Sequence, residues 1–323
     1  MAMEMSCAFA TSMDSAEHVR IAESLGFKRA YLYDSPPLYS DVWMQLARAA
    51  DRTERIIIGP SGLIPSNRAI MTTASAISTL VGMVGQDRVS IAVGTGMSSR
   101  LAMGKRPLRW TYVADYVSAL RSLLRGEVIE WEDRPVRMLH DEGFAVLPIE
   151  VEILLAAAGP KGIQAAKEVG DGVFGGMEPV AEHFDRHPCL TFGTVLDPDE
   201  DPGSPRAIDA AGHFAAVTAH WGLEFGGLDD SFPNADAWMR SYSDVPEGHL
   251  HLAVHKSHLV GLNERDRPFI DGPRLTELKL ALTPEAWADK LRALESAGAT
   301  EVAYQPAGDI VTELERFAKI WPW

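Results

Sequence analysis

The 323-residue sequence has only two cysteines, Cys7 and Cys189. That is too few for a disulfide framework, and each sits beside an apolar run, so both are expected as buried thiols in a reducing compartment. No apolar run approaches the ~20 residues needed to cross a bilayer, and the N-terminus lacks the basic start and apolar core of a signal peptide. A cytoplasmic location is expected. Positive charge is also scarce: 30 Lys and Arg against 45 Asp and Glu leave a net charge of -15, which disfavours nucleic-acid and anionic-membrane partners. The exception is a local cluster, Arg100, Lys105, Arg106 and Arg109, which reads as a loop facing a phosphate or carboxylate, or as solvated charge.

What is present is an ordinary globular composition, 46% hydrophobic and 23% charged, with enough residues for two domains or for one barrel with insertions. Residues 55–96 carry the clearest signal. An apolar strand (RIIIG), a turn rich in Gly, Pro, Ser and Asn, an Ala-containing helix and a second apolar strand ending in Gly94-Thr95-Gly96 make a complete βαβ unit. Both strands are continuous apolar runs, as parallel strands covered on both faces require. Their carboxyl ends carry small residues, which let a backbone approach a ligand, so Ser61-Gly62-Leu63 and Gly94-Thr95-Gly96 are candidate cofactor contacts.

The same alternation extends along the chain. Strands are expected near 5–10, 29–33, 55–59, 89–93, 152–157, 171–176, 189–196 and 301–305, with helices between them and Asp14-Ser15 capping the first. Eight strands in this order predict a (β/α)8 TIM barrel in a single domain spanning 1–323. Two insertions are expected: a hairpin near 127–148 with its turn at Glu132-Asp133, and a long irregular segment near 246–280, functional or lid-like. The helices 42–50 and 69–84 carry Trp43, Met44, Leu46, Ile70, Met71, Ile77 and Leu80, more apolar surface than one barrel face needs.

An AE-x-LGF turn at 22–27, a strand ending in Asp34, RIIIGPSG, QDRVSIAVGTG, AAAGPKG at 156–162 and DGV at 171–173 follow one another in order. Together they resemble the bacterial-luciferase-like flavin oxidoreductase superfamily, and GTGMSSRLAMGKRP is most similar to its methylenetetrahydromethanopterin-reductase branch, which uses the deazaflavin coenzyme F-420. The resemblance implies a planar flavin-type ring, F-420 or FMN, at the barrel mouth with its phosphate tail on backbone N–H groups. Carried over, Ser61, Gly62 and Leu63 lie behind the ring, with a cis peptide at Gly62-Leu63. Asp34, Thr95, Gly96, Ala158, Gly159, Gly175 and Gly176 contact ring or phosphate. Members pair through the region of residues 42–84, implying a homodimer, and an FMN form implies a partner flavin or deazaflavin reductase.

The departures narrow the chemistry. The family's alcohol-oxidising deazaflavin enzymes carry His after the Asp and Glu after the GTG, where this chain has Ser35 and Met97. Alcohol oxidation needs a base within hydrogen-bond reach, so it is disfavoured. Ser35 and Tyr39 remain as hydrogen-bond donors to a carbonyl, imine or peroxide. His249, His251, His255 and His258 lack a carboxylate-histidine motif of known metal spacing, so no metal is expected. His255, His258 or Asp266 is expected to reach the substrate instead. The expected function is hydride transfer between the cofactor and a C=C or C=N bond of a small organic substrate. The alternatives are a two-component monooxygenase using reduced FMN, and a non-catalytic flavin-binding barrel.

Overall fold

The computed structural model describes residues 3–140 and 145–321. Its centre is a ring of eight parallel strands: Glu4–Phe9, Arg29–Leu32, Ile57–Leu63, Ser90–Val93, Glu152–Ala156, Gly172–Phe174, Pro188–Phe192 and Glu301–Gln305, here the first to eighth strands. Each pairs with its neighbour in chain order, and the eighth returns to the first with Glu4 opposite Glu301. The sixth and seventh strands close the ring through a parallel bridge between Gly175 and Cys189. This is the expected TIM barrel.

The strands read as continuous apolar runs because both faces are covered. Their outward residues, including Cys7, Phe9, Leu32, Ile58 and Val302, pack under the helices. The inward set is smaller and differently built: Ala8, Tyr31, Tyr33, Ala92, Leu154, Phe174 and Ala303 fill the barrel, with Tyr31 edge-on to Phe174 at 5.0 Å. Cys7 and Cys189 are buried free thiols. No described helix is long and apolar enough to cross a membrane.

Caps fix several helices: Asp41 accepts from the backbone of Trp43 and Met44, Ser204 from Ala207 and Thr283 from Ala286. At Asp14 the structure differs from expectation, because the residue occupies the N-cap position without a side-chain bond. In the hairpin, Ile129–Trp131 pairs antiparallel with Arg134–Val136, and Glu132 and Asp133 both have positive φ, as a two-residue primed turn demands. Residues 141–144, in the same expected insertion, lie outside the described residues.

The stretch 246–280 is irregular only in part. It holds the short helices Leu250–Val254, Arg267–Phe269 and Gly272–Glu277, whose lengths are too short to show a helical period in sequence. They pack with the long helix Pro205–Phe225 around Trp238, Tyr242, Phe214 and Leu275 to form a second apolar cluster beside the barrel. Its polar centre is the buried carboxylate of Asp266, which accepts from Trp238 Nε1 at 2.8 Å, Asn263 Nδ2 at 2.7 Å and Tyr242 Oη at 3.1 Å, and sits 3.0 Å from His220 Nε2.

Candidate active site

A cavity of about 340 Å³ opens at the carboxyl ends of the strands, within the ~300–1,000 Å³ usual for small-molecule sites. One side is made of residues with almost no side chain: Ser61 and Gly62 from the third strand, Gly94, Thr95 and Gly96 after the fourth, Ala156, Ala157 and Ala158 around the fifth, and Gly175 and Gly176 after the sixth. Added bulk would fill this space. A Cβ on Gly94 would touch Ala156 Cβ at 3.4 Å, and one on Gly62 would stand 3.4 Å from Gly94 N. The rest of the lining includes the aromatics Phe174, Phe192, Phe214 and Trp221; Phe192 and Phe214 stack at 3.8 Å.

The expected site residues divide. Asp34, Ser35, Tyr39, Ser61, Gly62, Thr95, Gly96, Ala158, Gly175, Gly176 and His258 all line the cavity. Leu63, Gly159 and His255 do not. Leu63 follows Gly62 by one residue, so its side chain turns outward into the packed layer under the helices. Gly159 is exposed just beyond the rim, as N-cap of the helix Pro160–Val169. His255 is buried behind His258, their rings 5.2 Å apart. Asp266 is held inside the second cluster and likewise does not reach the cavity. The cis peptide lies at Ser61-Gly62, one bond earlier than expected. Gly96 has φ +85, and a Cβ there would meet Ile64 Cγ2 at 2.7 Å, so this glycine is required by its own turn before any ligand is considered.

Asp34 is fully committed. One carboxylate oxygen accepts from Arg68 Nη1 at 2.7 Å and the other from the backbone N of Ile64 at 3.2 Å, tying the second strand's end to the third. Arg68 also reaches Asp41 at 2.7 Å. Of the basic cluster, Arg100 is spent on its own loop, donating to the Arg106 carbonyl at 2.7 Å and to Ser66 Oγ at 2.8 Å, while Lys105, Arg106 and Arg109 are exposed.

The segment His258-Leu259 crosses the mouth and is tied down from the barrel. Tyr39 Oη donates to the His258 carbonyl. Tyr33 Oη donates to Gln305 Oε1 at 2.6 Å, and Gln305 Nε2 donates to the Leu259 carbonyl at 2.7 Å. Burial pushes the Tyr39 hydroxyl well up from its ordinary range, so it is a hydrogen-bond donor here and not an anion. His258 Nε2 lies 3.0 Å from Ser98 Oγ. Burial first, then the neighbouring rings of His220 and His255, hold His258 well below the usual imidazole range, so it is neutral near pH 7. His255 is lowered to about 4 for the same leading reason.

The profile of the luciferase-like monooxygenase family matches residues 10–186, more than half of the chain. The chain belongs to the luciferase-like monooxygenase family. It is 27% identical over 316 residues, 90% of this chain and 89% of the other, to the 5,10-methylenetetrahydromethanopterin reductase of Archaeoglobus fulgidus. Among solved structures, the coenzyme F420 dependent tetrahydromethanopterin reductase of Methanopyrus kandleri superposes with a TM-score of 0.67 at 18% identity, over 99% of this chain and 98% of that one. An F420-dependent secondary alcohol dehydrogenase in complex with an F420-acetone adduct gives 0.65 at 17%, over 100% and 99%. Within this luciferase-like barrel the family match ends at residue 186. The cavity lining therefore divides between matched and unmatched chain: Ser98 and Phe174 lie inside the match, while Phe192, Phe214, Trp221 and His258 lie beyond it.

Sequence reasoning missed the aromatic part of the lining. Phe214, Val217 and Trp221 fall at i, i+3 and i+7 on the helix Pro205–Phe225, which reads as an ordinary buried stripe. Ser98 stood inside the quoted GTGMSSR motif, and its helical start after Gly96 was the available signal.

Proposed function

We propose that this luciferase-like protein seats a deazaflavin of the F-420 type and catalyses hydride transfer to a C=C or C=N bond of a small organic substrate. The observation that carries the reading is the lining of the cavity: glycine, alanine and serine from four strand ends leave backbone open to a planar ring, and Phe174, Phe192, Phe214 and Trp221 add apolar surface to the same space. When bound, the deazaflavin supplies the hydride. The chain's own residues do the rest. Ser35 and the Ser98–His258 pair offer hydroxyls to the substrate atom that gains electron density, and a neutral imidazole beside Ser98 either gives or takes that bond's proton according to its tautomer. Phe174, Phe192 and Phe214 exclude water. Among the described residues the carboxylate of the lining, Asp34, is paired with Arg68, which leaves the His258 imidazole as the base there.

The phosphate tail is assigned to the N-terminus of the helix Pro160–Val169, which no side chain caps and whose dipole favours an anion. A Cβ at Gly159 meets nothing within 4 Å, so Gly159→Asp adds a charge without a clash. It should weaken phosphorylated cofactor by tenfold or more and leave the dephosphorylated form unchanged; equal losses remove the tail from this helix. The reaction itself is tested by mixing the protein with reduced deazaflavin and an imine or enone series without oxygen. Substrate-dependent oxidation of the deazaflavin is expected. Product formed only with reduced FMN and oxygen replaces this reading with the monooxygenase one, and then a partner flavin reductase is required.

A two-fold dimer through the helices Val42–Ala50 and Ile70–Val84 belongs to the same proposal. Leu46, Ile70, Ile77 and Leu80 turn out to be buried in the chain's own core, leaving Trp43, Met44 and Met71, with Met83, for a partner; Met44 is 71% exposed. A sedimentation mass near the chain's own 35.3 kDa at micromolar protein overturns the dimer.

A further inference from the structure

Three buried histidines converge behind the cavity wall. His220 comes from the helix Pro205–Phe225, His255 from the end of Leu250–Val254, and His258 from the turn that follows. One nitrogen of each ring lies within 4.8 Å of one from each of the others. The ring centroids are 5.2 Å apart for His255–His258 and 5.8 Å for both His220–His255 and His220–His258. Imidazoles bound to zinc at about 2.0–2.1 Å place their centroids about 3.2 Å from the ion, hence roughly 5.2 Å from one another in a tetrahedral site. One side of the observed triangle matches that spacing and the other two exceed it by about 0.6 Å, a difference that small ring shifts would close.

The hydrogen bonding has a corresponding polarity. The outer nitrogens are occupied: His220 Nε2 at 3.0 Å from Asp266, His258 Nε2 at 3.0 Å from Ser98. The remaining nitrogens, Nδ1 of His220 and His258 and both of His255, are buried with no hydrogen-bond partner among the described residues. Leaving four such atoms unsatisfied is costly, whereas one cation would take a lone pair from each ring and so satisfy three of them. A buried carboxylate behind a histidine is the arrangement that orients a metal ligand and raises its basicity. Here Asp266 is itself fixed by Trp238, Tyr242 and Asn263. Glu224 Oε1, 3.6 Å from His255 Nε2, is the nearest anionic group on the third ring.

We propose that His220, His255 and His258 form a site for one divalent transition cation of the zinc class, with Asp266 and Ser98 as positioning residues and a fourth position left to water or Glu224. All-imidazole donors favour zinc, copper, nickel or iron over calcium or magnesium. Bound through Nδ1, His258 keeps its proton on Nε2 and donates to Ser98, so the cation fixes the direction of the hydrogen bond at the cavity wall. The three rings come from segments 35 residues apart, which is why no sequence motif announced them.

The proposal stands independently of the hydride-transfer reading, and its test uses metal alone. Untagged protein, stripped with chelator and without any flavin, is titrated with Co2+ and then Zn2+. One equivalent per chain is expected, with the intense visible bands of four- or five-coordinate cobalt, displaced by zinc. His220→Gln and His255→Gln should each weaken binding by 100-fold or more, while His183→Gln, on an exposed side chain, should leave it unchanged. Absence of a stoichiometric site, or binding insensitive to both core variants, overturns the proposal. Should either variant fail to fold, X-ray absorption of the wild-type zinc complex decides: three imidazole nitrogens at about 2.0 Å support the site, and two or fewer overturn it.

Discussion

The two ends of the barrel are built from the same eight strands and could hardly differ more in chemistry. At the amino ends, long charged side chains meet across strand starts. Arg29 pairs with Glu4 and with Glu301 at 3.0 Å, and Arg186 reaches Glu152 at 2.6 Å and Glu301 at 2.8 Å, with the Glu301 side chain fully buried between them. Ser90 adds a bond to Glu152 at 2.5 Å. At the carboxyl ends the corresponding positions are glycine, alanine and serine, and a cavity stands where the charges would be. The lesson is a division of labour: one end is closed by paired charges that hold strand register, and the other is kept free of bulk so that a ligand can enter.

The largest expected effect breaks the closed end. Arg186→Met leaves Glu152 without its guanidinium and Glu301 with only Arg29, and stranding buried carboxylates in this way costs about 3–5 kcal/mol. Urea unfolding should show that loss, while cofactor affinity of the folded fraction stays within twofold of wild type. A stability change below about 1 kcal/mol would mean the ion cluster does not hold the barrel.

At the open end, Gly62→Val should do the reverse. Its Cβ has only ordinary contacts, on Gly94, Ala156 and Ala92, so the fold should keep its urea midpoint, while the branched side chain enters the ring space and weakens cofactor by about 100-fold, roughly 2.7 kcal/mol. Gly96→Val is a poorer probe, because the positive φ and the Ile64 contact would disturb the turn itself.

A smaller effect separates the second apolar cluster from both ends. His213 is buried with neither nitrogen paired among the described residues, and burial lowers it to about 4. Between pH 6.5 and 4 the unfolded chain takes up a proton that the folded chain refuses, so stability falls as pH drops through that window, by at most about 1.4 kcal/mol per unit. His213→Leu should raise stability near pH 7 by about 1 kcal/mol and flatten that acid slope; an unchanged slope in thermal melts from pH 7 to 4.5 counts against it.

The smallest concerns the tie across the mouth. Tyr39→Phe removes the donor to the His258 carbonyl, worth about 1 kcal/mol, and hydrogen exchange should quicken around residues 255–260 and nowhere in the barrel strands.

The open end was the more legible of the two in sequence, because each of its glycines and alanines sits in a local strand-turn pattern. Strand order followed from the same runs. The closed end was not read at all: Glu4, Arg29, Glu152, Arg186 and Glu301 look like scattered surface charges until the ring brings their strand starts together. The aromatic lining and the histidine triangle failed for a related reason, since Phe214, Trp221 and His220 lie on one helix whose pattern is that of any buried helix. Leu63 shows the remaining error. A motif located it to within a residue, but one residue decides whether a side chain faces the cavity or the packed layer behind it.

The central claim is that the small-residue wall seats a flavin-type ring. Its most direct measurement is a fluorescence titration of wild type and Gly62→Val with oxidised deazaflavin, with FMN in parallel. Saturable binding of deazaflavin to wild type in the micromolar range or tighter, weakened about 100-fold in the folded variant, is the predicted result. Absence of saturable binding of either cofactor to wild type, or equal affinities of the two proteins, would contradict it.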